Sequence, residues 1–112
     1  MTCKGPRIKK IPEGDVHERL VCPDCNYIAY ENPKIVAVAL PVYQGKILLC
    51  RRAIEPKRGL WTLPGGYMEL NETVKSAALR EAFEEATAVG TAGPLIGIYH
   101  SSYNSDVVMV FR

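Results

Sequence analysis

Glu81, Glu84 and Glu85 stand at i, i+3 and i+4, so a helix through them carries three carboxylates on one side. On its own this arrangement is unfavourable. Glu81 and Glu85 repel as a like-charged i,i+4 pair by roughly 0.2–0.5 kcal/mol. All three also fall in the last turns, where the helix dipole disfavours negative charge. Arg80 can pair with Glu84 but cannot neutralise three carboxylates. A hard divalent cation can, because Mg²⁺ takes oxygen from one or two carboxylates and completes its shell with water and substrate phosphates. Ala77 and Ala78, one turn earlier, are expected to leave that side open. The apolar stripe Leu79, Ala82, Phe83 and Ala86 points the other way. A bare E-x-x-E-E is more often a solvated acidic face, so its surroundings decide. A second constellation is Cys22-Pro-Asp-Cys25, a CxxC knuckle, with Cys3 upstream.

The elements that must position these residues follow from patterning. Residues 1–32 are polar and hold three of the four cysteines, which divides the chain into 1–32 and 33–112. Lys34 to Tyr43 is a nearly continuous apolar run, as in a strand buried on both faces. Gln44-Gly45-Lys46 predicts a turn and Ile47 to Cys50 a returning strand, so 34–52 reads as a hairpin. Ala53 to Leu60 is loop-like, with Pro56 and Gly59, and Trp61 to Gly66 is a short extended piece. The helix is expected from Glu72 or Thr73 to Ala86. Gly90 to Gly93 interrupts the chain. Leu95 to Tyr99 and Val107 to Phe111 read as strands joined by the polar turn Ser101 to Ser105. This order, ββ(β)αββ, is an α/β or α+β arrangement.

Gly66-x5-Glu72-x7-Arg80-Glu81-Ala82-Phe83-Glu84-Glu85-Ala86-Thr87-Ala88 resembles the Nudix box, G-x5-E-x7-R-E-U-x-E-E-x-G-U, where U is aliphatic. The preceding Gly59-Leu-Trp-Thr-Leu-Pro-Gly-Gly66 is similar to the usual lead-in. Thr87 departs from the pattern by replacing a glycine past the helix end, where φ > 0 is common. It is expected to strain or lengthen the helix end and lower activity, without removing a ligand. The resemblance implies a Nudix-type α/β/α sandwich with a mixed sheet and hydrolysis of a nucleoside diphosphate linked to another moiety. It implies Mg²⁺ or Mn²⁺ on Glu81, Glu84, Glu85 and the Gly66 carbonyl, with Glu81 or Glu84 orienting or deprotonating the attacking water. Arg80 would hold a glutamate through an ion pair, and Glu72 would support the site from the loop–helix junction. Many family members add a later glutamate. The one carboxylate after Glu85 here is Asp106, which reads as a turn residue. The resemblance also turns a basic residue at Arg51 or Arg52 towards substrate phosphates, and strand alternation lets one of the two point that way.

A structural zinc ribbon takes four ligands, usually from two CxxC pairs. Cys3-Lys-Gly-Pro6 resembles the second half of a C-x2-C-G-x-P knuckle whose first cysteine would fall just before Met1. From Cys3 onward the chain is similar to a Nudix subgroup with an N-terminal zinc ribbon. The matching stretches are Ile11 to Gly14, Cys22 to Cys25, Ala29 to Lys34, Leu48 to Arg52 and Leu60 to Pro64. That subgroup implies ADP-ribose or FAD as substrate and Zn²⁺ on Cys3, Cys22 and Cys25. His17 is a candidate fourth ligand, although an isolated histidine in a polar segment ordinarily lies exposed. A degenerate, empty site is the alternative. An NADH or other dinucleotide pyrophosphatase ranks second, since residues 89–112 hold no Ser-Gln-Pro-Trp-Pro-Phe-Pro type motif. A catalytically weak nucleotide-binding module is the other alternative, motivated by Thr87 and the incomplete ribbon.

Composition sets the outer bounds. With 47% hydrophobic and 23% charged residues the chain is globular in type. No apolar run approaches the ~20 residues of a membrane span. A net charge of +2 argues against a dedicated nucleic-acid-binding domain. The basic Met1 to Lys10 segment is followed by no apolar stretch, so it does not read as a secretory signal. With the cysteine spacing, this points to a reducing compartment, the cytoplasm. Cys50 reads as a small core hydrophobe and Trp61 as core rather than a stacking platform. Against the family pattern the chain reads as short at both ends, without the C-terminal helix. An exposed apolar sheet face is therefore expected near Val107 to Phe111 unless a homodimer partner covers it.

Overall fold

A computed structural model describes residues 2–55, 57–101 and 104–112. Pro56 of the expected loop, and Ser102 and Tyr103 of the expected polar turn, lie outside the described residues. The chain falls into two compact units, Met1–Asn32 and Pro33–Arg112.

In the first unit, β1 (Ile8–Lys10), β2 (Arg19–Val21) and β3 (Ile28–Ala29) form an antiparallel sheet in that order. Its core is small, with Val21 and Cys22 buried. Polar links brace it. Arg7 donates to both oxygens of Asp24 at 3.0 and 3.2 Å, and Arg19 to Asp15 at 3.0 Å.

The second unit contains β4 (Lys34–Ala39), β5 (Val42–Tyr43), β6 (Lys46–Ile47), β7 (Cys50–Arg51), β8 (Trp61–Thr62), β9 (Gly65–Tyr67), α1 (Val74–Ala86), β10 (Leu95–Ser101) and β11 (Asp106–Phe111). Four strands make a mixed sheet in the order β10-β11-β4-β9, with β11 parallel to β4 and the other pairs antiparallel. One face receives α1. Ala77 and Ala78 of the helix are buried with Ala37 of β4 and Phe111 of β11, and Met68, Val74 and Met109 pack around them. Helix start and stop are locally encoded. Thr73 caps the first turn and exchanges hydrogen bonds with Ser76 in a capping box. Thr87 ends the helix in the left-handed region, at φ 54° and ψ 24°. Among the described residues the mixed sheet carries one helix, in keeping with the expected fold.

Four expectations change. The apolar run 34–43 is not one arm of a hairpin. It breaks at Leu40-Pro41, where proline brings no N–H to a ladder, and β4 pairs with β11 and β9 instead. The returning hairpin is the short β5–β6 pair, and β7 pairs with β8. The buried side of α1 is Ala77, Ala78 and Ala82, whereas Phe83 is 55% exposed. The two alanines are therefore the contact with the sheet and not an open space, because small side chains let the helix lie close to β4. The last strand is not left bare either. β11 lies between β10 and β4, with Val110 and Phe111 buried. The exposed apolar side chains Leu95, Ile96, Ile98 and Tyr99 sit on the edge strand β10. Trp61 is 65% exposed, not core. Among the described residues, no helix is long and apolar enough to cross a membrane.

Candidate active site

Arg80 organises the acidic side of α1. A guanidinium has five N–H donors in a rigid fork, and here all five are used. Nε and Nη2 grip Glu72 at 3.1 and 3.0 Å. Nη1 bridges Glu81 at 3.0 Å and Glu84 at 3.1 Å. Nη2 also donates to the Tyr67 carbonyl at 3.1 Å. Glu72 in addition accepts from the Glu69 amide at 2.6 Å. The Arg80 hydrogen bonds, with that amide, hold the Glu72 carboxyl below its usual range, and Glu72 in turn raises the Arg80 guanidinium.

The glycines opposite the helix explain why this spacing needs them. A Cβ on Gly66 would stand 2.6 Å from Cδ of Glu81, so glycine makes the seat for that carboxylate. The Gly65 amide donates to Oε2 of Glu85 at 2.7 Å. Burial raises the Glu85 carboxyl, and the charges of Glu81 and Glu84 add to this. The Gly65 amide and Arg52 oppose it. The structure thus gathers Glu72, Arg80, Glu81 and Glu84 into one network and sets Glu81 and Glu85 beside Gly65 and Gly66 of β9. It does not bring Glu81, Glu84 and Glu85 into one ligand cluster. Among the described residues, the only metal-competent group of three or more side chains is formed by cysteines. The donor set nevertheless fits a hard cation, which needs only one or two carboxylates and keeps several waters.

Of the two candidate phosphate-facing arginines, Arg52 lies within electrostatic reach of Glu85. Arg51 instead donates from Nε to the Gly59 carbonyl at 3.1 Å. Asp106 is no turn residue. It is 9% exposed, begins β11, and accepts from the Tyr67 hydroxyl at 3.4 Å. The sequence reading missed the Tyr67 carbonyl and the Gly65 amide, because backbone groups leave no side-chain signature.

In the first unit the Sγ of Cys3 lies 3.2 Å from that of Cys22 and 3.4 Å from that of Cys25. All three fall within 4.8 Å of one another. Tetrahedral zinc with ~2.3 Å Zn–S bonds needs sulfurs about 3.8 Å apart, so the thiols fit with a slight opening. Asp24 ties the two segments together by accepting from the Lys4 amide at 3.0 Å as well as from Arg7. Burial pushes the Cys22 thiol up, but hydrogen bonds from Cys3 and from the amides of Cys25 and Asp24 outweigh it and bring it to about 7. The hydrogen bond to Cys22 raises Cys3 to about 11. His17 is not part of this group.

The NUDIX domain model matches residues 33–111, and the Nudix N-terminal zinc-ribbon model matches residues 1–31. A solved NUDIX hydrolase from Nitrosomonas europaea is 48% identical, with a TM-score of 0.87, over 94% of this chain and 60% of that one. An ADP-ribose pyrophosphatase from Methanocaldococcus jannaschii is 36% identical over 75 residues, 67% of this chain and 44% of that protein. A bifunctional NMN adenylyltransferase/ADP ribose pyrophosphatase from Francisella tularensis, solved with AMP and a manganese ion, is 26% identical. Its TM-score is 0.64 over 73% of this chain and 27% of that one. The chain thus spans less than half the length of the curated M. jannaschii relative. The carboxylate helix, its arginine clamp and the paired glycines stand inside the matched region, and the chain belongs to the Nudix hydrolase family, with that family's zinc-ribbon segment ahead of the NUDIX domain.

Proposed function

We propose that this chain carries the core of a divalent-cation-dependent pyrophosphatase that cleaves the P–O–P bond of a nucleoside diphosphate derivative, ADP-ribose or FAD above others. The observation that carries the reading is the Arg80 network, which holds Glu81 and Glu84 on one helix side, with Glu81 against Gly66 of β9. The M. jannaschii and F. tularensis relatives favour ADP-ribose within that class.

Glu81, Glu84, Glu85 and the Gly66 carbonyl would hold Mg²⁺ or Mn²⁺. When bound, such a cation polarises phosphoryl oxygens and lowers the pKa of water. Glu81 or Glu84 orients the attacking water or takes its proton. Arg80 holds Glu81 and Glu84 on one side of the helix, and Glu72 anchors Arg80. Arg52 draws the substrate phosphates towards Glu85. Cys3, Cys22 and Cys25 take Zn²⁺ in the N-terminal ribbon. Free thiols suit a reducing, cytoplasmic setting, and a second copy of the chain would cover the exposed apolar side chains of β10.

The test is AMP release from ADP-ribose, FAD and NADH with Mg²⁺ or Mn²⁺, in wild type and Glu85→Gln. Wild type should release AMP, and Glu85→Gln should lose about 10²-fold or more. Full activity in Glu85→Gln removes the carboxylate assignment. Calorimetric binding of ADP-ribose without turnover replaces the enzyme by a nucleotide-binding module.

A further inference from the structure

Asp106 is the one buried charged residue among the described residues. Burying a carboxylate is costly unless its partners compensate, so its position calls for an explanation. It heads β11 opposite Lys34 of β4 in the parallel register. Its side chain accepts from the Tyr67 hydroxyl at 3.4 Å. The Lys34 ammonium lies over the Tyr67 ring, 5.1 Å from its centre, a cation–π contact. Alternation along the strands places Lys34, Tyr67 and Asp106 on the sheet face away from α1, since Ala37, Met68 and Met109 pack towards the helix.

Tyr67 also works on the other side of the sheet. Its carbonyl accepts from Arg80, and it is the only one of the five Arg80 contacts that is not a carboxylate of α1 or of its lead-in. It is therefore the contact that ties the clamp to β9, the strand that carries Gly65 and Gly66. β9 is only three residues long and pairs on one side alone, with β4. Such a strand gains much of its definition from side-chain anchors. We infer that Asp106 and Tyr67 are positioning residues: the buried carboxylate holds the tyrosine hydroxyl, which sets β9 and so the carbonyl that seats Arg80 and its glutamates. This rests on the pyrophosphatase reading only for its effect on turnover.

The test uses the whole chain and needs no ligand. Solvent exchange of the Arg80 Nε–H is followed by ¹⁵N NMR in wild type, Tyr67→Phe, Asp106→Leu and Asp106→Asn. Tyr67→Phe keeps the half-exposed ring and removes only the hydroxyl, so the fold is retained. It and Asp106→Leu should exchange several-fold faster, whereas Asp106→Asn, which keeps an acceptor, should stay near wild type. In turnover the first two should lose about tenfold in kcat with KM little changed. Arg80 exchange in Tyr67→Phe equal to wild type overturns the inference. Because that measurement involves neither metal nor substrate, an inactive wild type would count against the pyrophosphatase reading alone.

Discussion

The two units gather ionisable side chains in opposite ways. In Met1–Asn32, three cysteine sulfurs crowd together, with Cys3 and Cys22 only 3.2 Å apart. In Pro33–Arg112, glutamates of like charge are kept apart and bridged by an arginine. The difference lies in protonation. A thiol is neutral until about pH 8.5, whereas a carboxylate is charged above about pH 4. Thiols can therefore preassemble with one easily ionised member, here Cys22. Carboxylates cannot, and the Arg80 guanidinium is the built-in cation that holds Glu81 and Glu84 in place.

The largest effect that can sharpen this contrast is expected in the cysteine unit. Zinc bound by thiolates supplies roughly 10–16 kcal/mol of folding free energy in small domains. Stripping it with a strong chelator should collapse the amide dispersion of β1 to β3, read by ¹⁵N-correlation NMR. Chain purified without zinc that keeps this dispersion would make the cluster a self-sufficient structural element. Next comes Arg80→Ala, which removes the shared partner of Glu72, Glu81 and Glu84. AMP release from ADP-ribose should fall about 10²-fold. If saturating Mg²⁺ restores wild-type turnover, the arginine is only a placeholder for the metal.

Two smaller effects probe local structure. Thr87 holds a left-handed conformation at φ 54°, which costs a β-branched residue about 1 kcal/mol or more. Thr87→Gly should recover about that amount and raise Tm by roughly 4–8 °C. An unchanged or lower Tm would show that the threonine side chain compensates. In the first unit, Arg19 and the His17 and Val16 amides hold the Asp15 carboxyl down to about 2. A depressed carboxylate stabilises above its unfolded value of about 3.9 and loses that contribution as pH falls towards 2. β1–β2 ordering should therefore weaken over that window in wild type and be flatter with pH in Asp15→Asn.

Much of the site was legible because it is local. The spacing from Gly66 to Glu85 is a property of one strand end and one helix, and the helix bounds follow from Thr73 and Thr87. The CxxC knuckle and its distant Cys3 were also visible, since their chemistry announces itself by residue type. What stayed hidden depended on neighbours distant in sequence. The run at 34–43 looks the same whether it folds back on itself or enters a sheet between β11 and β9. Helical periodicity offered Leu79, Ala82, Phe83 and Ala86 as the inner face; Ala82 is buried, but close packing on Ala37 turned Ala77 and Ala78 inwards and left Phe83 exposed. Asp106 and the Tyr67 carbonyl carry no motif.

Sequence alone therefore determined which carboxylates stand together, and their order along one helix, because 3.6-residue periodicity and side-chain chemistry are set residue by residue. Only the tertiary structure decided which groups hold those carboxylates: the seat that Gly66 gives Glu81, the carbonyl that receives Arg80, and the buried acid behind it. Those choices rest on strand pairing and packing distance, which arise between segments and are written in none of them singly.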